Sequence, residues 1–98
     1  MKTGGLSEKK ENTEEIEKLV KSLSIEILKK LNLDINSIVE VHSYKSQIVA
    51  GIIYFIKIKV GQNYYHMKVM DYLPHESKAP QVLSIQNEQS ETSEILYF

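Results

Sequence analysis

Three histidines, a set of carboxylates and no cysteine are the groups in this chain that could do chemistry. His42, His66 and His75 are separated by 24 and 9 residues. Three imidazoles suffice for a zinc site, but this spacing matches no metal-ligand signature. Asp71 and Glu76 flank Leu73-Pro74 and could meet across it as an acid–base pair. Glycosidic chemistry would need such a pair at a defined separation inside a cleft, and nothing in the pattern builds one. Glu11, Glu14, Glu15 and Glu17 crowd the start of a helical repeat, where a solvated cap is the ordinary explanation. Without cysteine there is no thiolate nucleophile, no Cys-based metal site and no disulfide. No G-x-G-x-x-G, P-loop, H-E-x-x-H or G-x-S-x-G motif occurs. The sequence argues against an enzyme and points to no catalytic residue, no cofactor and no metal.

Two short apolar elements break the surface rules instead. Gln47-Ile48-Val49-Ala50-Gly51 falls where two strands must turn, and hairpin tips are ordinarily Asn, Asp and Gly. Here Ile48 and Val49, both β-branched, stand at a loop that should face water, while Ala50 and Gly51 would let a partner approach the backbone closely. One reading is a strand that continues and turns elsewhere; the other is a protruding hairpin that inserts into a partner's groove. Leu73-Pro74 is the second element. In a meander the first and third turns lie at the same sheet end, so these two tips should be neighbours, with Gly4 in reach of them.

The scaffold beneath these tips is legible in the periodicity. Ile16, Leu19, Val20, Leu23, Ile27 and Leu31 recur at steps of three or four, which predicts a helix over about 13–31 with one buried stripe. Asn12 is the expected cap, with Glu15 completing a capping-box arrangement. Val39, Val41 and Ser43 alternate with Glu40, His42 and Tyr44, predicting a strand over 38–47. In a second strand, 52–60, Tyr54, Ile56, Ile58 and Val60 face one way, and Lys57 and Lys59 mark the other face as wet. Gly61-Gln62-Asn63 turns into a third strand over 64–72, which Leu73-Pro74 ends, and short strands are expected over 81–87 and 93–98. The class is α+β: one long helix across an antiparallel sheet of four to five strands, five if a short one lies before the helix.

Ninety-eight residues make one domain, with residues 1–11 including a flexible arm. Twelve positive charges, all lysine, against thirteen negative ones give −1, so the clustered basic charge that nucleic acid requires is missing. No apolar run is long enough to span a membrane, and the opening residues do not form a secretory signal. A soluble cytoplasmic protein is the expectation.

These residues carry a resemblance. Gln47-Ile48-Val49-Ala50-Gly51 resembles the Q-x-V-x-G hairpin of cystatins, the reversible inhibitors of papain-like cysteine proteases. Tyr44-Lys45-Ser46, Tyr54-Phe55-Ile56-Lys57, His66-Met67-Lys68-Val69, Leu73-Pro74-His75-Glu76, Leu96-Tyr97-Phe98 and Gly4-Gly5-Leu6-Ser7 extend the likeness to the stefins, the disulfide-free single-domain branch. The resemblance implies a curved sheet wrapped on the helix and a tripartite wedge. Its protease-binding residues would be Gly4, Gln47, Ile48, Val49, Ala50, Gly51, Leu73 and Pro74. It implies as partners papain-like endopeptidases such as lysosomal cathepsins. Ile52 and Ile53 stand where stefins often have Thr-Asn, and Met70 where Phe is common; these departures bear on target preference.

Two rival readings are a non-inhibitory binding module of the same fold and a small enzyme with a histidine base. Ile48 to Ile56 is nine uncharged residues without a proline, so strand exchange through the first hairpin into a domain-swapped dimer is also expected, with the monomer as the active form.

Overall fold

A computed structural model describes residues 6–98 of the chain. The elements run β1 (Lys10–Glu11), α1 (Glu14–Lys30), β2 (Val39–Val49), β3 (Gly51–Val60), β4 (Asn63–Tyr72) and β5 (Gln81–Gln89), with a 3-10 turn at Pro74–Glu76. All strands pair antiparallel with their chain neighbours, in the sheet order β1-β2-β3-β4-β5. The predicted α+β class and helix are present, and a short strand does precede the helix. No helix among the described residues is long and apolar enough to cross a membrane.

Local chemistry explains where α1 starts and stops. The cap is Thr13, not Asn12: Thr13 is extended, and its hydroxyl accepts from the Ile16 amide at 3.3 Å. Glu14, Glu15 and Glu17 fill the first turn, and Lys29 and Lys30 the last, as the helix dipole favours. The helix ends in a Schellman closure, with Asn32 in the left-handed region at φ 57°. There the Asn32 amide donates to Lys29 O and the Leu33 amide to Leu28 O. Asparagine tolerates this conformation better than a β-branched residue would.

Ile16, Val20, Leu23, Ile27 and Leu28 are buried against Tyr44, Ile56, Ile58, Tyr65, Met67, Val69 and Val82 of the sheet. Burying each such side chain contributes roughly 1.5–3 kcal/mol, and this layer is what holds the helix in the hollow of the sheet. Leu28 widens the predicted stripe, while Leu19 and Leu31 only flank it.

Strict alternation fails in β2. A bulge at His42 leaves Val41 opposite Ile58 but brings Ser43 opposite Lys57. One extra residue reverses the phase of everything after it, so Tyr44 joins the helix-side core and Ser43 is buried on the other face.

That other face is not wet. The chain after β5 does not form the strand expected over 93–98; it crosses the outer face as an irregular strap. Ile95 is buried, and the Phe55 ring meets Tyr97 at 5.8 Å and Phe98 at 5.5 Å between centroids. Lys57, only 3% exposed, donates from Nζ to Glu91 O at 2.7 Å and Ser93 O at 2.5 Å. Lys68 Nζ donates to the main-chain oxygen of Phe98 at 2.8 Å, and Lys45 Nζ stands 3.5 Å from a Glu94 carboxylate oxygen. The lysines predicted to be solvated are in part the anchors of the strap. Lys57→Ala is therefore expected to lower stability by about 2 kcal/mol, because two carbonyls lose a charged donor. Lys59→Ala should stay within about 0.5 kcal/mol. Urea unfolding of both variants checks this, and equal midpoints would remove Lys57 from the strap's support.

Candidate functional site

β2 and β3 continue to the very tip of their hairpin. Gln47 stands opposite Ile53, Ile48 opposite Ile52 and Val49 opposite Gly51, leaving Ala50 alone at the apex. The strand therefore does not turn elsewhere. Ile48 is 59% and Val49 39% exposed, at a position where water would ordinarily select polar residues. Gln47 and Gly51 are buried beneath them.

Gly51 is required twice. Its φ of +124° is a conformation that side chains disfavour, and a Cβ there would lie 2.6 Å from Asp71 O and 2.9 Å from Met70 Cε. The bare backbone lets β4 close up on the tip of the first hairpin. Gly51 pairs with Tyr72, so the chain leaves β4 immediately beside that tip. The next residue, Leu73, is 39% exposed, and Pro74 opens the 3-10 turn. That turn is closed by Glu76 N–H to Leu73 O at 3.0 Å and Ser77 N–H to Pro74 O at 3.3 Å, with Ser77 left-handed at φ 51°.

The amino-terminal segment lies along the free edge of β2. Lys10 and Glu11 pair with Tyr44 and Ser43. Ser7 N–H donates to Ser46 O at 2.8 Å, and Ser46 N–H to Ser7 Oγ at 2.9 Å. Ser7 is thereby held against the residue before Gln47. Gly4 lies outside the described residues.

The structure thus brings Gln47, Ile48, Val49, Ala50 and Gly51 together with Leu73 and Pro74 at one end of the sheet. Two of the histidines stand elsewhere: His42 bonds Ser43 Oγ at 3.0 Å and His66 is buried in β4, whereas His75 follows Pro74 in the 3-10 turn at this same end, exposed. Near the hairpin, burial and then the Asp71 charge raise the pKa of Tyr54, so its phenol stays neutral and is no base. What this end offers is apolar surface and backbone. It can fill a groove.

Sequence reasoning passed over one part of this end. Tyr72 Oη donates to Gln81 Oε1 at 2.9 Å, and Lys78 Nζ lies 5.1 Å from the Tyr72 ring centroid. The only signal was a tyrosine directly before Leu73-Pro74.

Comparison with known proteins adds independent findings. The family model described as Cystatin domain matches residues 4–95. Cystatin-A1 of Sus scrofa is 35% identical over 99 residues, covering 100% of this chain and 95% of that protein. Leukocyte cysteine proteinase inhibitor 1 of Sus scrofa is 32% identical over the same span and coverage. Cystatin-A of Homo sapiens is 34% identical over 96 residues, covering 97% of each chain.

Proposed function

The chain belongs to the cystatin family, in its stefin branch, and from that premise we propose that it is a reversible, tight-binding inhibitor of papain-like cysteine endopeptidases. Members of this family inhibit cysteine proteases and are not enzymes. The proposed mechanism is steric. A wedge occupies the slot around the catalytic Cys–His pair, and no covalent bond forms between inhibitor and enzyme.

The observation that carries this reading is the convergence of two exposed apolar pairs, Ile48–Val49 at the hairpin tip and Leu73–Pro74 just after β4, at one sheet end. Gln47 to Gly51 would fill the centre of the slot, with Val49 in apolar contact and Ala50 and Gly51 permitting close approach. Leu73-Pro74 would pack on the primed side. Residues through Gly4 would lie on the non-primed side, a role that rests on family membership. The hairpin is tied into a sheet, so it enters preformed and little ordering entropy opposes binding. The active form is proposed to be the cytoplasmic monomer, as a single stefin-like domain over residues 1–98, with cathepsin-like endopeptidases as targets.

Titration of an active-site-calibrated papain-like endopeptidase, following hydrolysis of a fluorogenic peptide, tests the proposal. The expected result is loss of activity at one-to-one stoichiometry, reversed by dilution, with the inhibitor left uncut. No inhibition at micromolar concentrations of folded monomer would overturn it in favour of a non-inhibitory binding module.

A further inference from the structure

The loop that carries Leu73-Pro74 is held at both ends by one side chain. The β4–β5 ladder stops at Met70 opposite Gln81, and the chain then leaves the sheet through Leu73 and returns at Gln81. Tyr72 stands two residues beyond that last pair. Its hydroxyl reaches back to the Gln81 side chain at 2.9 Å, and the Lys78 ammonium lies over its ring at 5.1 Å from the centroid. Tyr72 is also the backbone partner of Gly51, so the same residue joins the second loop to the first hairpin.

Resting on the inhibitory reading above, we infer that Tyr72, with Gln81 and Lys78, is a positioning residue that preforms the Leu73-Pro74 loop for the protease slot. A loop of this length without the clamp samples several conformers, of which only a fraction presents Leu73 and Pro74 together. The apparent affinity then falls by that fraction. When loop conformers exchange faster than the proteins meet, the loss is in the association rate. Loss of a direct contact, by contrast, is felt mainly in dissociation. The clamp combines a neutral hydrogen bond with an exposed cation–π contact, each modest and therefore consistent with tuning rather than with holding the fold.

The test is stopped-flow inhibition kinetics on Tyr72→Phe, Gln81→Ala, the double variant and Tyr72→Ala, with hydrogen exchange of the free proteins alongside. Tyr72→Phe and Gln81→Ala should each slow association by about threefold, the double variant no more than either, and Tyr72→Ala by up to about tenfold. Dissociation should stay within about twofold throughout. In the free variants the Glu76 and Ser77 amides, both bonded inside the loop, should exchange about threefold faster or more. Changes confined to dissociation would make Tyr72 a direct contact and overturn the inference, as would additive effects of the two single changes. Unchanged exchange would overturn it also. A wild type that fails to inhibit, with loops that loosen in the variants, would overturn the inhibitory function and leave the clamp itself standing.

Discussion

Val49→Asp is expected to weaken inhibition of a papain-like endopeptidase by at least roughly a hundredfold, about 2.7 kcal/mol. Two effects add. The first is loss of an aliphatic contact in the slot, worth about 1–3 kcal/mol when the side chain is fully desolvated. The second is the carboxylate, which would leave water for an apolar slot where none of its neighbours on the hairpin is a cation. An unpaired charge costs more to bury than the contact it replaces. In the free protein Val49 is partly exposed beside Ala50, so the charge remains hydrated and the fold should be little changed. Val49→Ala isolates the first effect and should cost about tenfold. Inhibition constants from progress curves, with unfolding midpoints to show that the variants fold, decide the matter. A Val49→Asp protein as potent as the wild type would remove the hairpin from the contact.

The second large effect is on stability in acid, and it comes from His66. This residue is 1% exposed, and its Nε2 is buried without a hydrogen-bond partner. Burial lowers its pKa from the usual 6.5 to about 4, and the nearby positive charges of Lys57 and Lys45 push the same way. The unfolded chain therefore binds a proton as pH falls through 6.5, while the folded chain resists protonation until about 4. Across that window the unfolded state gains and the folded state does not. Stability that is complete above pH 6.5 is lost progressively down to pH 4, by roughly 3 kcal/mol from this one group. Urea unfolding between pH 7 and pH 4 measures it. His66→Leu keeps most of the side-chain volume and cannot take the proton, so its stability should fall less steeply over the same range. Parallel curves for the two proteins would show that His66 titrates as an ordinary histidine.

The neighbours of His66 keep it neutral. His66 faces Lys57 across the β3–β4 ladder, and Lys57 is itself held by the carbonyls of Glu91 and Ser93. The outer face therefore carries a buried ammonium beside a neutral imidazole. A proton on His66 would place two positive charges together under the strap. The strap's acidic side chains lie by other groups: Glu91 is 3.8 Å from His42 Nε2, and Glu94 is 3.5 Å from Lys45 Nζ.

Much of this was legible in the order of residues. The three- and four-residue spacing from Ile16 to Ile27 specified a helix with one buried face, because a helix repeats every 3.6 residues whatever it packs against. Tyr54, Ile56, Ile58 and Val60 specified which face of β3 would meet that helix. Gln47 to Gly51 and Leu73-Pro74 marked the candidate site through local violations of turn chemistry, and local violations are visible without a structure.

Tertiary contacts decided the rest. The bulge at His42 is a shift in the register of β2 against β3, and nothing in Val-Glu-Val-His-Ser-Tyr announces where alternation will reverse. Lys57 reads as solvent-facing because lysine ordinarily is. It is buried because carbonyls from Glu91 and Ser93, more than thirty residues later in the chain, arrive to accept its hydrogen bonds. His66 is buried opposite Lys57 in the β3–β4 ladder, and no periodicity in the sequence marks that position as one closed to water. The Tyr72 clamp likewise depends on Gln81 returning beside β4. Periodicity and turn chemistry are properties of neighbours in sequence, so the chain alone determined its helix, the main strands of its meander and its two apolar tips. Which side chains water abandons is a property of neighbours in space, and only the folded arrangement could settle that.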